Sequence, residues 1–321
     1  MSLIPTRHWA FVPVLVSLAA CGGSENDGRT VRDEPLTLDP AGYANQPAVI
    51  RSLADIESVD RTYADMAAVY RVLEEAEVAL VALAEAPPAD PDDPDSDLPP
   101  GDCNEANDNL MIQRTELADG GFVAQYDFGD CRLEVASGEL QLSGFVQLER
   151  RVNGGSVQIS ESYGLSGTVF PGGAELGLSG SLSATVSASS ENSLSVSLNT
   201  RALEFLYGNR YAAFRDAQIN LLQTGDVVSL DVSAQLIGSF LQGYLSLATS
   251  ETVQGDATGA CPDRGHLSIE GEGTLDVRFG ASTARGTGSE LLVNGSEVEF
   301  SDTCPSVLPA PSVSLLFLIG E

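Results

Sequence analysis

Residues 138–165 read GELQLSGFVQLERRVNGGSVQISESYGL, and this stretch decides the fold. Leu140, Leu142, Val146, Leu148 and Val152 alternate with Glu139, Gln141, Ser143, Gln147, Glu149 and Arg151. A period of two places one set on an apolar face and the other in water, which is the pattern of a half-buried strand. Asn153-Gly154-Gly155 supplies turn residues, and Val157, Ile159, Tyr163 and Leu165 resume the alternation beyond it. Two strands joined by a tight turn make a hairpin.

The same grammar continues downstream. Pro171-Gly172-Gly173 punctuates the chain before Leu176, Leu178, Leu182 and Val186, and Leu194, Val196 and Leu198 follow with serines on the opposite face. Ile219 and Leu221 run into Thr224-Gly225-Asp226, then Val228, Leu230 and Val232. Near the end, Asn294-Gly295 reads as a two-residue turn. It would set Val293 opposite Ser296, Leu291 opposite Val298 and Ser289 opposite Phe300. Leu291, Val293, Val298 and Phe300 would then share one face, with Glu290, Glu297 and Glu299 on the other.

Roughly ten strands with one wet face and short turns predict an antiparallel meander. Gly138-x-Leu140-x-Leu142-x-Gly144 after Cys131 is echoed by Gly265-x-Leu267-x-Ile269-x-Gly271 after Cys261. Strand chemistry of this kind produces such matches readily, so the echo only weakly suggests duplication. A transmembrane barrel would need an outward apolar band and aromatic girdles. Aromatic residues are only 6% of the chain, and the second strand face is Ser, Glu and Gln.

Ahead of the strands, residues 45–86 carry a helical period. Leu53, Ile56, Tyr63, Met66, Tyr70, Leu73, Leu80 and Leu83 recur at three- and four-residue steps. Asn45 is the candidate cap, Pro47 suits a first turn and Pro87-Pro88 stops the segment. Residues 87–102 form an acidic, proline-rich linker. Its Asp93, Asp95 and Asp97 have calcium-loop spacing, but Leu98 and Asn104 stand where such a loop needs glycine and glutamate. The expected fold is mainly β: a sandwich or curved half-barrel over residues 103–321, with the amphipathic helix packed on it.

The beginning of the chain reads as an export signal. MSLIPTRH carries Arg7, a short apolar run extends from Trp9 to Ala20, and Leu18-Ala19-Ala20-Cys21 closes it. About a dozen apolar residues are too few to span ~30 Å of hydrocarbon as a helix, so residues 1–20 read as a cleavable signal. Leu-Ala-Ala-Cys resembles a lipobox, and by it the chain resembles the outer-membrane lipoproteins of proteobacteria. The resemblance covers those residues alone and brings no family motif for the β-region. It implies cleavage before Cys21, acylation of Cys21 and a flexible, Gly/Ser/Asp-rich tether over residues 21–44. Gly22 stands where an aspartate would retain such a protein in the inner membrane, so the resemblance implies the outer membrane, facing the periplasm or the cell surface.

Five cysteines divide as one plus four. With Cys21 acylated, Cys103, Cys131, Cys261 and Cys304 remain for two disulfides in an oxidising compartment. Three connectivities exist in principle, and the sequence neighbours Cys103–Cys131 and Cys261–Cys304 are the favoured ones. No CxxC pair occurs, which speaks against structural zinc and thiol-redox chemistry.

Charge sets the classes of partner. Asp and Glu number 46 against 16 basic residues, all arginine, for a formal net charge of −30. Such a surface repels phosphate backbones, excluding nucleic acid. It also repels anionic headgroups, leaving the acyl anchor as the membrane contact. Without lysine there is no Schiff-base or phosphate-loop lysine. His266 would be the one histidine after signal removal, and it alternates with Ser268 and Glu270 on one strand. Residues two apart on a strand sit ~6–7 Å apart, too far for a relay, though a neighbouring strand could supply a partner. No G-x-S-x-G elbow occurs.

The sequence therefore points to a non-enzymatic envelope accessory that binds a partner, with no cofactor and no metal. A carrier of lipid or another apolar ligand under a helical lid is the alternative, and an envelope hydrolase is third. A packed interior favours the first, a large cavity between helix and sheet the second, and a convergent polar cleft around His266 the third.

Overall fold

The alternation between residues 138 and 165 becomes two antiparallel strands at the start of an uninterrupted meander. The computed structural model describes residues 40–85, 102–103, 109–190, 193–257, 261–283 and 286–301. A short helix α1 (Pro40–Tyr43) and a 3-10 turn (Leu53–Asp55) precede the long helix α2 (Ile56–Glu85). The strands are β1 (Leu110–Glu116), β2 (Phe122–Val135), β3 (Gly138–Asn153), β4 (Ser156–Phe170), β5 (Ala174–Ser190), β6 (Ser193–Tyr207) and β7 (Arg210–Thr224). They continue as β8 (Val227–Gly238), β9 (Gly243–Asp256), β10 (Pro262–Gly271), β11 (Gly273–Thr283), β12 (Gly286–Val293) and β13 (Ser296–Ser301). All 13 lie in one sheet in sequence order, each antiparallel to the next, with β1 and β13 as the edges. The expected meander is present, three strands longer than the alternation alone suggested. It is an open sheet, not a closed barrel.

The turns fall where the sequence placed them. Asn153 pairs with Ser156 and Thr224 with Val227, each across two residues. At Asn294-Gly295 both residues have positive φ, 50° and 75°, the backbone of a type I′ hairpin turn that Asn-Gly suits. Val293 pairs with Ser296 and Leu292 with Glu297 as expected, but the register then shifts. Leu291 faces Glu299, Glu290 faces Phe300 and Ser289 faces Ser301. The expected pairings Leu291–Val298 and Ser289–Phe300 are therefore corrected: Val298 is the extra residue of a bulge, which shifts the rest of β13 by one place.

Bulges also set the shape of the sheet's centre. Register shifts recur between β5 and β6, β7 and β8, β8 and β9, β9 and β10, and β11 and β12. Each one locally increases twist and bends its strand. Buried side chains from Leu110 in β1 to Leu291 and Val293 in β12 then form one contiguous cluster. A smaller cluster of Phe122, Ala124, Leu148, Ile159 and Ala184 fills the far end of β2–β5.

Helix α2 completes the main core. Val59, Met66, Val69, Val72, Leu73, Ala76 and Leu80 are buried in it, and Ile56, Tyr63 and Tyr70 pack against it. Tyr70 meets Phe205 edge-on at 5.2 Å, and Tyr63 lies 6.2 Å from Phe214. Such aromatic pairs add about 0.5–1.5 kcal/mol beyond burial. Gly238 is a close-approach glycine, since a Cβ there would lie 2.7 Å from Thr62. Two-thirds of the way along the helix, Ser137 N–H donates to Glu75 Oε2 at 2.8 Å. The helix is thus held to the sheet from Val59 to Leu80.

Its start differs from the expected Asn45/Pro47 cap. Ser52 and Asp55 form the backward arm of a capping box: Asp55 Oδ2 accepts from Ser52 N–H at 2.9 Å and Arg51 N–H at 2.8 Å. Residues 46–50 are instead extended. Ala48 N–H donates to Tyr244 O and Glu272 N–H to Ala48 O, bridging this segment to β9 and to the residue between β10 and β11. Before it, Tyr43 is 1% exposed against Tyr211, Ala213 and Ile237, whose neighbours Ala212 and Leu236 point into the main core. From Tyr43 on the outer face of the sheet the chain therefore crosses the rim and enters the core side as α2. The segment expected as a tether, residues 21–44, ends in structure.

Cys103 and Cys131 form a disulfide, joining the residues before β1 to β2. Cys261 just precedes β10 and is disulfide-bonded. Its expected partner Cys304, the lipidation candidate Cys21 and the acidic run Asp93, Asp95, Asp97 lie outside the described residues.

Candidate functional site: a polar face with a Ser-His-Asp chain

On β10, His266 does not bond to Ser268 or Glu270, its neighbours in the alternation. It joins residues from the two flanking strands. Opposite β10, Glu251 pairs with His266 and Thr249 with Leu267, so Ser250 is the bulged residue of β9. Its Oγ lies 2.6 Å from His266 Nδ1. On the other side, Asp276 is paired with Ser268 and sits diagonal to His266. His266 Nε2 reaches Asp276 Oδ1 at 2.9 Å. Strand spacing permits such diagonal contacts for long side chains.

The proton positions follow from the partners. A carboxylate only accepts, so the imidazole tautomer that satisfies both contacts has its hydrogen on Nε2, donating to Asp276. In that tautomer Nδ1 is a lone pair that accepts from the Ser250 hydroxyl. The chain Ser250–His266–Asp276 can take a proton from the serine and stabilise the resulting imidazolium. Acyl transfer needs, in addition, donors aimed at a developing oxyanion. In a sheet the backbone N–H groups lie in the plane of the ladder and pair with neighbouring strands, not toward the face on which Ser250 stands. Neither cleft described below includes Ser250, His266 or Asp276.

The first cleft, about 320 Å³, lies on the outer face of β6–β9. Two cross-strand rows border it: Ser195–Leu222–Ser229–Gln254 and Ser197–Asn220–Asp231. One oxygen of each of Asn220, Asp231 and Gln254 is held by a neighbour. Ser197 donates to Asn220 Oδ1 at 2.7 Å, Thr252 to Asp231 Oδ1 at 2.7 Å, and Arg264 Nε to Gln254 Oε1 at 2.7 Å. Thr252 stands two residues from Ser250 on the same face, one side-chain step of ~6–7 Å away. The second cleft, about 430 Å³, lies at the rim between residues 46–50, the start of α2 and the β8–β9 turn.

Acids also stand at or within the core, Asp60 half-buried and Glu161 fully so. Asp60 on α2 has its carboxyl pushed up to about 6, first by burial and then by the charge of Glu57. Glu161 is 2% exposed, between Leu148 and Leu182 in its cross-strand row, and accepts from the Tyr163 hydroxyl. Burial and the Glu161 charge together raise the Tyr70 phenol. Among the described residues, no group of three His, Cys, Asp or Glu is placed to hold a metal ion. No described helix is long and apolar enough to cross a membrane.

No protein-family model, curated protein or solved structure matches the chain.

Proposed function

We propose that this chain is a lipid-anchored accessory lipoprotein of the outer membrane, a rigid platform that engages an envelope partner through the outer face of its sheet. One observation carries the reading. The cross-strand row Gln147–Ser162–Ser181–Ala202–Arg215–Gln235–Ser246–Glu270–Thr274 runs unbroken across nine strands, β3 to β11. At ~4.8 Å per strand it is a line nearly 40 Å long, polar on every strand but β6, where Ala202 stands. The opposite face is occupied by the protein's own core: Val69, Leu73 and Ala76 of α2 fill the space a carried ligand would need. The polar face is what the fold leaves for recognition.

Two measurements test this. Cys21→Ser should move the protein from membrane to soluble fractions, since the acyl chains are the anchor. Photo-crosslinking residues at Ser162 and Ser181 should trap an envelope component in cells. Membrane retention of the Cys21 variant overturns the anchor, and silence from both crosslinking positions overturns the platform.

The Ser250–His266–Asp276 chain favours a second reading, an envelope hydrolase. A fluorophosphonate probe that labels Ser250 in the native chain, but not after His266→Ala, would establish a nucleophile. An unlabelled Ser250 removes this reading.

A further inference from the structure

We infer that the groove over β6–β9 is a binding site for an uncharged sugar chain. This rests on the outer face being the recognition surface and names the chemistry of what it recognises.

The groove owes its form to the bulges. Between Leu230 and Ser233 the pairing of β8 with β9 is interrupted; Thr249 Oγ1 enters the gap and accepts from Val232 N–H at 3.1 Å, and Thr252 turns its hydroxyl to Asp231 Oδ1 at 2.7 Å. Bulges re-aim side chains and open a flat sheet locally. Here they make a concavity of about 320 Å³, at the small end of the roughly 300–1,000 Å³ of ligand sites.

The groups left facing the groove match a polyol. Asp231 spends Oδ1 on Thr252, which orients the carboxylate and leaves Oδ2 as a charge-assisted acceptor for ligand hydroxyls. Asn220 and Gln254 each use their carbonyl oxygen, on Ser197 and Arg264. Their amide NH2 groups are thereby oriented as donors. Leu222, 46% exposed, gives an apolar step beside them for the C–H face of a sugar ring. Vicinal hydroxyls both donate and accept, so one ring can satisfy the carboxylate and an amide together. Because the partners are held before the ligand arrives, little ordering entropy is lost on binding.

Charge narrows the class. Asp231 is the one acidic or basic residue lining the groove, and the chain as a whole has a formal net charge of −30. Uronate-rich and phosphorylated polymers are repelled.

The test uses the full lipidated protein in a detergent without sugar headgroups. It is run in native gels containing dextran, laminarin, arabinoxylan or galactomannan, with alginate as the charged comparison. At least one neutral polymer should retard it and alginate should not. Asp231→Asn keeps the shape but removes the charge, and should weaken retardation tenfold or more; Leu222→Ala should weaken it severalfold. Unchanged thermal midpoints establish that both variants fold. If no neutral polymer retards the protein, or both variants run like the native chain, or alginate binds as well, the inference is wrong. If it fails while Ser162 and Ser181 still crosslink a protein, the platform reading stands and the partner is a polypeptide.

Discussion

Arg210 reaches from the start of β7 to Asp65 in the middle of α2, with Nε 2.8 Å from Oδ1. Asp65 is 5% exposed, and its Oδ2 is buried without a hydrogen bond among the described residues. Burial raises the Asp65 carboxyl and the arginine's charge and hydrogen bond only partly oppose it. The pair thus holds the helix to the sheet while keeping a carboxylate in a place unfavourable for charge.

Arg210→Ala should destabilise the protein by about 1–3 kcal/mol at neutral pH. That is below the ~3–5 kcal/mol of a fully buried pair, because the arginine is partly in water. Asp65 is raised in the folded state, so its protonated form is favoured on folding, and the penalty should shrink as pH falls. Urea melts at pH 7.5 and pH 5 read both effects. A larger penalty at the lower pH would contradict the assignment.

Asp60→Asn should stabilise. A carboxyl raised to about 6 in the fold contributes stability that is complete below its unfolded value near 4 and is lost as pH rises through about 6. Removing the charge should therefore gain about 1 kcal/mol at pH 7.5, after discounting for partial exposure, and little near pH 4. Thermal melts at the two pH values decide it. An equal gain at both would mean that the amide acts through packing instead.

Opening the Cys103–Cys131 bond should cost about 3–4 kcal/mol. The bond closes a loop with a sequence separation of 28, and chain entropy gives that order of magnitude. The Cys103→Ser, Cys131→Ser double variant should melt well below the native chain under non-reducing conditions, with peptide mapping still finding Cys261 linked. A Cys103–Cys261 peptide in the native protein would refute the pairing.

Replacing Tyr70 and Leu73 together by Asp should cost at least about 4 kcal/mol, since it removes a buried leucine and an aromatic contact and adds two charges. Near-UV circular dichroism and hydrogen exchange of β5–β7 report it. If the variant melts like the native chain, α2 is not part of the core.

The strands were legible because their apolar residues repeat every second position and Gly-rich or Asn-Gly turns separate them. The β13 register was not, because pairing Leu291 with Glu299 depends on the Val298 bulge, which no local preference encodes. The helix was legible from Tyr63, Met66, Tyr70 and Leu73, yet its wider buried surface, with Val59, Val69 and Ala76, reflects a sheet that covers more than one stripe. Ser52-x-x-Asp55 was a usable capping signal, and Asn45 and Pro47 drew attention from it. Tyr43 gave no warning, a single aromatic in a polar stretch. Of the Ser250–His266–Asp276 chain, only His266 and the opening for a partner on a neighbouring strand could be read: its members come from three strands, and a bulge in β9 brings the serine into reach.

The route of residues 40–56 over the rim fixes an order of events during biogenesis. Asn294 Nδ2 lies 3.5 Å from Ile50 O, across 244 positions of sequence, and Gln46 reaches Gln242 across 196. A chain is made from its amino end, so α2 exists before β6 and β7 are there to cover it. Contacts this distant make folding slow and leave apolar surface open to aggregation meanwhile. The helix therefore waits with its apolar face uncovered until those strands are made, and a chain stopped before β7 would keep that face open.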